Sequence, residues 1–150
     1  MTNPDWPNLS GKTILQVIPD LAAGGAERTT VEMAEAITGA GGQALVLSAG
    51  GRLEDDLEKA GGTLIKLNAA SKNPLTIRKN AKAIEKIVAE RGVDLIHARS
   101  RAPAWSAYMA AQRTGTPFAT TYHGAYSGLT GLKRRYNSVM AKGELIIANS

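Results

Sequence analysis

The sequence predicts an α/β fold, a doubly wound and mostly parallel sheet with helices on both faces. Short apolar runs alternate with amphipathic helical patterns along nearly the whole chain. The runs are apolar at almost every position, which is typical of parallel strands covered on both sides. Glycines stand between each predicted helix and the next strand, where they commonly end helices. Together these observations predict right-handed strand-helix-strand crossovers in a Rossmann-like arrangement.

The individual elements follow in order from this alternation. The first helix presents Val31, Ala34 and Ile37 on one face, and the long helix that begins near Pro74 repeats apolar residues at the same spacing. The predicted strands are residues 13–18, 44–48, 63–67, 95–97, 118–121 and 145–148, and further helices are predicted at 53–60, 103–113 and 129–141. Ligands of such sheets bind beyond the carboxyl ends of the strands, so we expect functional residues in the loops after the first, fourth and fifth strands.

Length and charge limit the domain organisation and the partners. A chain of 150 residues fits one domain, here residues 12–150 after a polar leader, 1–11, that we expect to be flexible. The net charge of +5 favours anionic partners such as nucleotides or a membrane surface. Nucleic acid is not an expected partner, because the basic residues are scattered and two Trp, four Tyr and one Phe offer few stacking rings.

Several classes of protein lack the residues they need. The chain has no cysteine, which excludes disulfides and thiolate metal sites. It also lacks the H-E-x-x-H and G-x-S-x-G motifs and any Asp/Glu/His cluster with metal spacing, so a metal site and a hydrolase are not predicted. No apolar segment has the length of a membrane span or the pattern of a signal peptide, and we therefore expect a cytoplasmic location.

The loop after the first strand ends in a glycine pair that opens a helix. A helix N-terminus leaves about four N–H groups without intrahelical partners and attracts anions, and Gly24 and Gly25 would let a ligand approach this backbone. Glu27 agrees with the helix dipole, whereas Arg28 opposes it and would be explained by a bound anion. The alternatives are a glycine turn for close helix-strand packing and a solvated arginine.

Arginines follow the fourth strand. Arg99, Ser100 and Arg101 are suited to hold a phosphate or carboxylate, since the guanidinium matches bidentate anions. Solvated loop charge is the alternative for both arginines. His97, just before them, is expected more often to be a buried, hydrogen-bonded core histidine than a ligand.

The fifth strand ends in Tyr122, His123 and Gly124, which places an imidazole at the predicted cleft beside a glycine that admits a ligand. An exposed histidine without a task is the alternative. Downstream, the run 133–135 is basic and predicts either a solvated face or a peripheral contact with anionic lipid.

The motifs GGAER, DLIHARS, TTYHG and ELIIANS, in this order, resemble the N-terminal domain of family-4 retaining glycosyltransferases over nearly the whole chain. That resemblance implies one half of the GT-B fold, in which two Rossmann-like domains face each other. It also implies transfer of a hexose from a nucleotide-sugar to a sugar or lipid-linked acceptor of the cell envelope, with retention, without a metal or other cofactor, at the inner face of the membrane.

The resemblance also assigns roles to residues of this chain. Gly24 and Gly25, with Arg28, would approach the donor diphosphate, and His123 would orient the transferred sugar. The acceptor-contacting candidates are Arg99, Ser100, Arg101, Tyr122 and Gly124. The family places its nucleotide-sugar site, with an E-x7-E motif, in a C-terminal domain that this sequence does not contain, so we expect the chain alone to have little or no activity.

Two other functions remain open from the sequence. The chain could be a stand-alone nucleotide- or phosphate-binding module in which the glycine junction binds an anion without catalysis. A nicotinamide-dependent oxidoreductase is weaker, because the G-x-G-x-x-G fingerprint is missing and no acidic residue follows the second strand at positions 48–51.

Overall fold

A computed structural model describes residues 4–123 and 130–149 of the protein. In chain order, the elements are β1 (Thr13–Val17), α1 (Gly25–Gly39), β2 (Gln43–Ser48), α2 (Glu54–Lys59), β3 (Thr63–Lys66), α3 (Pro74–Arg91), β4 (Leu95–Ala98), α4 (Arg101–Thr114), β5 (Phe118–His123), α5 (Gly131–Asn137), a 3-10 turn (Ser138–Ala141) and β6 (Leu145–Asn149). The alternation of strands and helices predicted from the sequence is confirmed.

The six strands form one sheet in the order β3-β2-β1-β4-β5-β6, and every neighbouring pair among the described residues is parallel. The predicted α/β, doubly wound class is therefore confirmed. Since β1 lies between β2 and β4, the loops that follow β1 and β4 diverge to opposite faces of the sheet. The crevice between these loops is the position at which open parallel sheets bind ligands.

Apolar residues cover both faces of the sheet, as their nearly unbroken runs predict. One cluster packs β1, β2, β4 and β5 against α3, α4 and the 3-10 turn, with Leu15, Ile84 and Ile96 fully buried. The other packs β1 and β2 against α1 and α2 through Val46, Ile37 and other aliphatic side chains. Strand β6 is a sheet edge.

The ends of the helices show the local causes of their boundaries. Asn73 caps α3, its Oδ1 accepting from the N–H groups of Leu75 at 2.9 Å and Thr76 at 3.4 Å. Gly92 ends the same helix in the left-handed region, at a φ of 61°. Helix α4 begins at Arg101, two residues earlier than predicted, because proline is tolerated within the first helical turn and Pro103 does not have to start it.

Two predicted segments have other outcomes. The predicted helix at 129–141 divides into α5 and a 3-10 turn, and residue 129 lies outside the described residues. In the leader, the Leu9 N–H donates to the Ala40 carbonyl at 2.8 Å, and the Trp6 ring lies against Gly39. These contacts attach part of the leader to the end of α1, and its flexibility stays a prediction.

Candidate functional site

The glycine pair lies at the start of α1, as predicted. Gly24 is the N-cap residue with extended backbone, at φ −80° and ψ 176°, and no described side chain caps the helix by a hydrogen bond. The first intrahelical bond runs from the Arg28 N–H to the Gly24 carbonyl at 3.1 Å. A Cβ atom on Gly25 would meet no described heavy atom within 4 Å, so Gly25 is not required for close helix-strand packing. No described atom therefore stands beside Gly25 in the way of a ligand that approaches this first turn.

Charged side chains flank this helix start. The carboxylate of Glu27 folds back to the position that a Cβ atom of Gly24 would occupy. It therefore lies at the positive end of the helix dipole, where a negative charge is favourable. Arg28 is exposed on the same turn. Asp20 accepts from the Ala22 N–H at 3.0 Å and shapes the loop before the glycines.

The loop after β2 supports the loop after β1. The Leu21 N–H donates to the Gly50 carbonyl at 3.1 Å, and the Leu21 carbonyl accepts from the Leu53 N–H at 2.9 Å. A Cβ atom on Gly51 would lie 2.5 Å from the backbone of Leu21, so only glycine allows the two loops to approach this closely. The position of the glycine junction thus depends on the second crossover.

Arg99 occupies the end of β4, at the predicted crevice. Its backbone N–H donates to the Val17 carbonyl at 2.9 Å, and its Nη2 donates to Thr29 Oγ1 at 2.5 Å. The residue is only 2% exposed, so the alternative of a solvated loop charge is wrong for Arg99. Among the described residues no carboxylate pairs with it within 4.0 Å, and its Nε has no hydrogen-bond partner. Desolvation by burial lowers the pKa of the guanidinium.

A cavity of about 290 Å³ opens beside Arg99, between α1 and the strands β5 and β6. Its polar lining consists of Arg99, the hydroxyl-bearing Thr29 and Thr121, and the exposed Glu32. The other described lining residues are apolar: Met33, Ala36 and Ile147. The cavity therefore lies on the face of the sheet that α1 covers, and Arg99, just after the end of β4, is the basic residue among its described lining.

Arg101 and Ser100 have different surroundings. Arg101 Nη1 donates to Asn137 Oδ1 at 2.7 Å, and its Cζ lies 5.9 Å from the centroid of the Tyr136 ring. Arg99 and Arg101 thus contact different helices, α1 and α5. Burial raises the pKa of the Tyr136 phenol, and the charge of Arg101 opposes this shift. The Oγ of Ser100 is buried, and it has no hydrogen-bond partner among the described atoms.

His97 is a buried core histidine, as the sequence favours. It is 4% exposed, and its Nε2 lies 2.6 Å from Thr121 Oγ1. Gln16, its neighbour across the β1–β4 pair, donates from Nε2 to the Thr30 carbonyl at 3.1 Å. The face of the sheet beneath α1 therefore contains a polar group of residues, and Thr121 links His97 to the cavity beside Arg99.

Part of the predicted site lies outside the described residues. The backbone of His123 ends β5 in register with Asn149, but the His123 side chain and all of Gly124 belong to the undescribed part. Tyr122 is half-buried against the cluster on the α4 side. The roles predicted for these residues stay predictions.

The basic run lies on the surface of α5. Lys133, Arg134 and Arg135 are exposed, and Leu132 beside them is 85% exposed. Within residues 4–123 and 130–149, no helix combines the length and the hydropathy that a membrane crossing requires.

A larger groove, of about 490 Å³, lies at the amino end of β3, away from the crevice. Glu54, Asp55 and Glu58 line it. These carboxylates would repel a diphosphate, and Glu54 and Asp55 stand in the first turn of α2, where they stabilise the helix.

Sequence reasoning missed several residues of the Arg99 cavity: Thr29, Glu32, Thr121 and Ile147. Their only signal was indirect. Thr29 belongs to a threonine pair in α1, and Thr121 is polar in an otherwise buried strand. What brings them together is the pairing of β5 with β6, which puts Thr121 opposite Ile147 and is not readable from local sequence.

A doubly wound parallel sheet, with a helix start that no described side chain caps and a buried arginine after the fourth strand, defines a Rossmann-like α/β domain. The chain belongs to Glycosyltransferase Family 4, whose family model matches residues 23–150. The resemblance drawn from the sequence motifs, to the N-terminal domain of GT-B glycosyltransferases, is confirmed.

Solved structures give the same result. A glycosyltransferase from Rickettsia africae is 44% identical with a TM-score of 0.79, and the match covers 91% of this chain and 36% of that one. Anabaena HepE, solved with UDP and glucose, is 21% identical at a TM-score of 0.68, covering 91% and 38%. Acinetobacter baumannii MurG is 16% identical at the same TM-score, covering 91% and 41%. The last two show the fold alone. Curated proteins yielded no significant match.

Proposed function

We propose that this chain forms the acceptor-side domain of an enzyme that moves a hexose from a nucleotide-sugar to a sugar or lipid-linked acceptor of the cell envelope, with retention at the anomeric carbon. The chain spans 36–41% of the length of the three solved proteins described above, and the proposed reaction requires a second domain for the nucleotide-sugar. The observation that carries the proposal is the start of α1 at the β1–β4 crevice, which no described side chain caps by a hydrogen bond, in a member of this family.

The chemistry of this helix start suits the leaving group of glycosyl transfer. As the bond to the sugar breaks, negative charge develops on the diphosphate. Amides of the first turn of α1 and the dipole behind them would stabilise that charge, as a preorganised anion site does in catalysis. Arg28, exposed on the same turn, adds a positive charge. No cofactor or metal enters the proposed reaction.

The other proposed residues serve positioning. His123 would hold the transferred sugar by a hydrogen bond, without acting as a base. Arg99, Ser100, Arg101, Tyr122 and Gly124 remain the acceptor candidates. Of these, Arg99 has the strongest support, because it is buried, has no carboxylate partner among the described residues, and lines a cavity.

We place the enzyme at the cytoplasmic face of a membrane, with α5 as the contact. The exposed Leu132 and the run 133–135 combine an apolar anchor with three positive charges, each worth about 1 kcal/mol near an anionic bilayer. Co-sedimentation with vesicles that contain phosphatidylglycerol, compared with neutral vesicles, tests this placement. Equal sedimentation with both would contradict it.

The experiment for the reaction uses the longer protein that carries this chain. We expect Gly24→Val and His123→Ala each to reduce nucleoside diphosphate release from the sugar donor sharply, while NMR of the product reports the anomeric configuration. Parental rates in both variants would refute the site, and an inverted product would refute retention. Tight binding of UDP or GDP by this chain alone, with no transfer by the longer protein, would instead indicate a stand-alone nucleotide-binding module.

A further inference from the structure

The charge of Arg99 is unmatched by its described surroundings. Arg99 is only 2% exposed, yet no described carboxylate lies within 4.0 Å of it and its buried Nε has no hydrogen-bond partner among the described atoms. Buried charges in proteins are normally paired, because desolvation without a partner is unfavourable. An arginine kept in this state therefore points to a partner that is not a side chain of the described residues.

The guanidinium is also fixed in place. The backbone of Arg99 is bound to β1 through the Val17 carbonyl, and Nη2 donates to Thr29 Oγ1. Thr29 itself donates to the Ala26 carbonyl at 3.0 Å, which orients its hydroxyl so that an oxygen lone pair faces the arginine. Because both the backbone and one guanidinium nitrogen of Arg99 are already fixed, the side chain loses less rotamer freedom when it binds an anion. The guanidinium is therefore preorganised for a planar anion such as a carboxylate.

The cavity beside this cation has the properties of a sugar subsite. Its volume of about 290 Å³ is near the lower limit for small-molecule sites, which is about 300 Å³. Thr121 and Glu32 offer hydrogen-bond partners for hydroxyl groups, and Met33 and Ile147 offer apolar surface for the face of a sugar ring. Glu32 is exposed and forms no ion pair with Arg99, so it leaves the arginine charge unneutralised.

We propose that this cavity binds an anionic sugar of the acceptor, with the carboxylate or phosphate of that sugar on Arg99 and its hydroxyls on Thr29, Thr121 and Glu32. The inference rests on the proposed function in that it assigns the sugar to the acceptor. It goes further by assigning the acceptor a negative charge and by separating Arg99 from Arg101, which contacts α5 instead.

The first experiment measures binding without catalysis. The Nε–H resonance of Arg99 is followed by NMR during titration with glucuronate, with glucose 6-phosphate and with neutral glucose. We expect the anionic sugars to shift this resonance and glucose to leave it unchanged, and the stronger of the two anions identifies carboxylate or phosphate as the group. Equal responses to all three sugars, or no response, would overturn the proposal.

A variant then tests whether Arg99 carries the binding. We expect Arg99→Met to weaken the binding of the better anionic sugar at least tenfold. Arg99→Lys should weaken this binding less, because lysine keeps the positive charge but cannot form the two parallel hydrogen bonds of a guanidinium. The matched control is Arg91→Met, an exposed arginine in the last turn of α3, at the amino ends of the strands. Binding that is equally strong in Arg99→Met would overturn the proposal.

Thermal unfolding without ligand separates binding from a structural role. Methionine removes a buried cation that no described carboxylate pairs, and Thr29 keeps its bond to the Ala26 carbonyl, so the melting temperature of Arg99→Met should equal or exceed that of the parent protein. A clear fall would show that Arg99 serves the fold and would overturn the proposal.

The proposed function can fail separately from this inference. If anionic sugars bind at Arg99 but the protein has no transferase activity, the ligand proposed for the cavity is supported and the proposed transfer reaction is refuted. Conversely, transfer by Arg99→Met at the parental rate to the same acceptor that the parent protein uses would refute the charged acceptor alone.

Discussion

Gly25 offers a test that separates ligand approach from folding. It is exposed at the first position of α1, and a Cβ atom there would meet no described atom within 4 Å. In Gly25→Ala, the added methyl group therefore meets none of the described atoms of the protein. If a diphosphate approaches the backbone of this turn, the methyl group stands between the ligand and the amides.

We expect this substitution to raise the stability of the protein and to lower its activity. Alanine in place of glycine in a helix stabilises by up to about 1 kcal/mol, which is about 2–4 °C in melting temperature for a protein of this size. Loss of one hydrogen bond to a charged group costs about 1.5–3 kcal/mol, which corresponds to a fall in kcat/KM of about 10- to 150-fold. We expect Gly25→Ala to be at least as stable as the parent and clearly less active.

The assay measures kcat/KM for the donor in the longer protein, and urea denaturation of the same samples measures stability. Gly131→Ala is the matched control, because Gly131 also opens a helix, is exposed and has no described heavy atom within 4 Å of its missing Cβ. Undiminished activity in Gly25→Ala would refute the argument that the amides of this turn contact the donor. A large loss of stability in Gly25→Ala would refute the conclusion that a methyl group fits at Gly25 without a clash.

Two further variants test the support of the site and the local causes of the fold. In Gly51→Ala the new Cβ would lie 2.5 Å from the backbone of Leu21, so the loop that contains Leu21 and the glycine pair must move. We expect the free energy of unfolding, measured by urea denaturation, to fall by about 1–3 kcal/mol, and the rate of transfer to fall as well. Full activity would contradict the coupling of the two loops. In Asn73→Ala the cap of α3 is lost, and we expect about 1 kcal/mol of destabilisation with unchanged transfer, whereas an unchanged urea midpoint would show that the cap contributes nothing.

The sheet could be predicted because each of its strands is marked by a short segment of local sequence. Runs that are apolar at nearly every position fix parallel strands, and the glycines that follow α3 and α4 adopt the left-handed backbone that ends helices, at φ 61° for Gly92 and 69° for Gly115. The glycine junction was predictable for the same reason, since a strand, two glycines and a helix follow one another directly in the chain.

The sequence predicted Arg99 as a site residue, but it did not predict the cavity around it. Arg99 is marked by its place after a strand, but its burial depends on α1 passing over it, and its partner Thr29 is 70 residues away in sequence. The separation of Arg99 from Arg101 depends on the start of α4 and on the position of α5, both set by tertiary packing. Local sequence cannot tell a buried arginine from a solvated one when the covering element is so distant.

The carboxylate of Glu27, folded over Gly24, gives the helix start its own counter-ion. An anion that binds there would consequently displace a negative charge that already belongs to the protein. A singly charged ion gains little from such an exchange, whereas a diphosphate brings more charge than it displaces. Selectivity for highly charged ligands would thus follow from the balance of charges at this helix start.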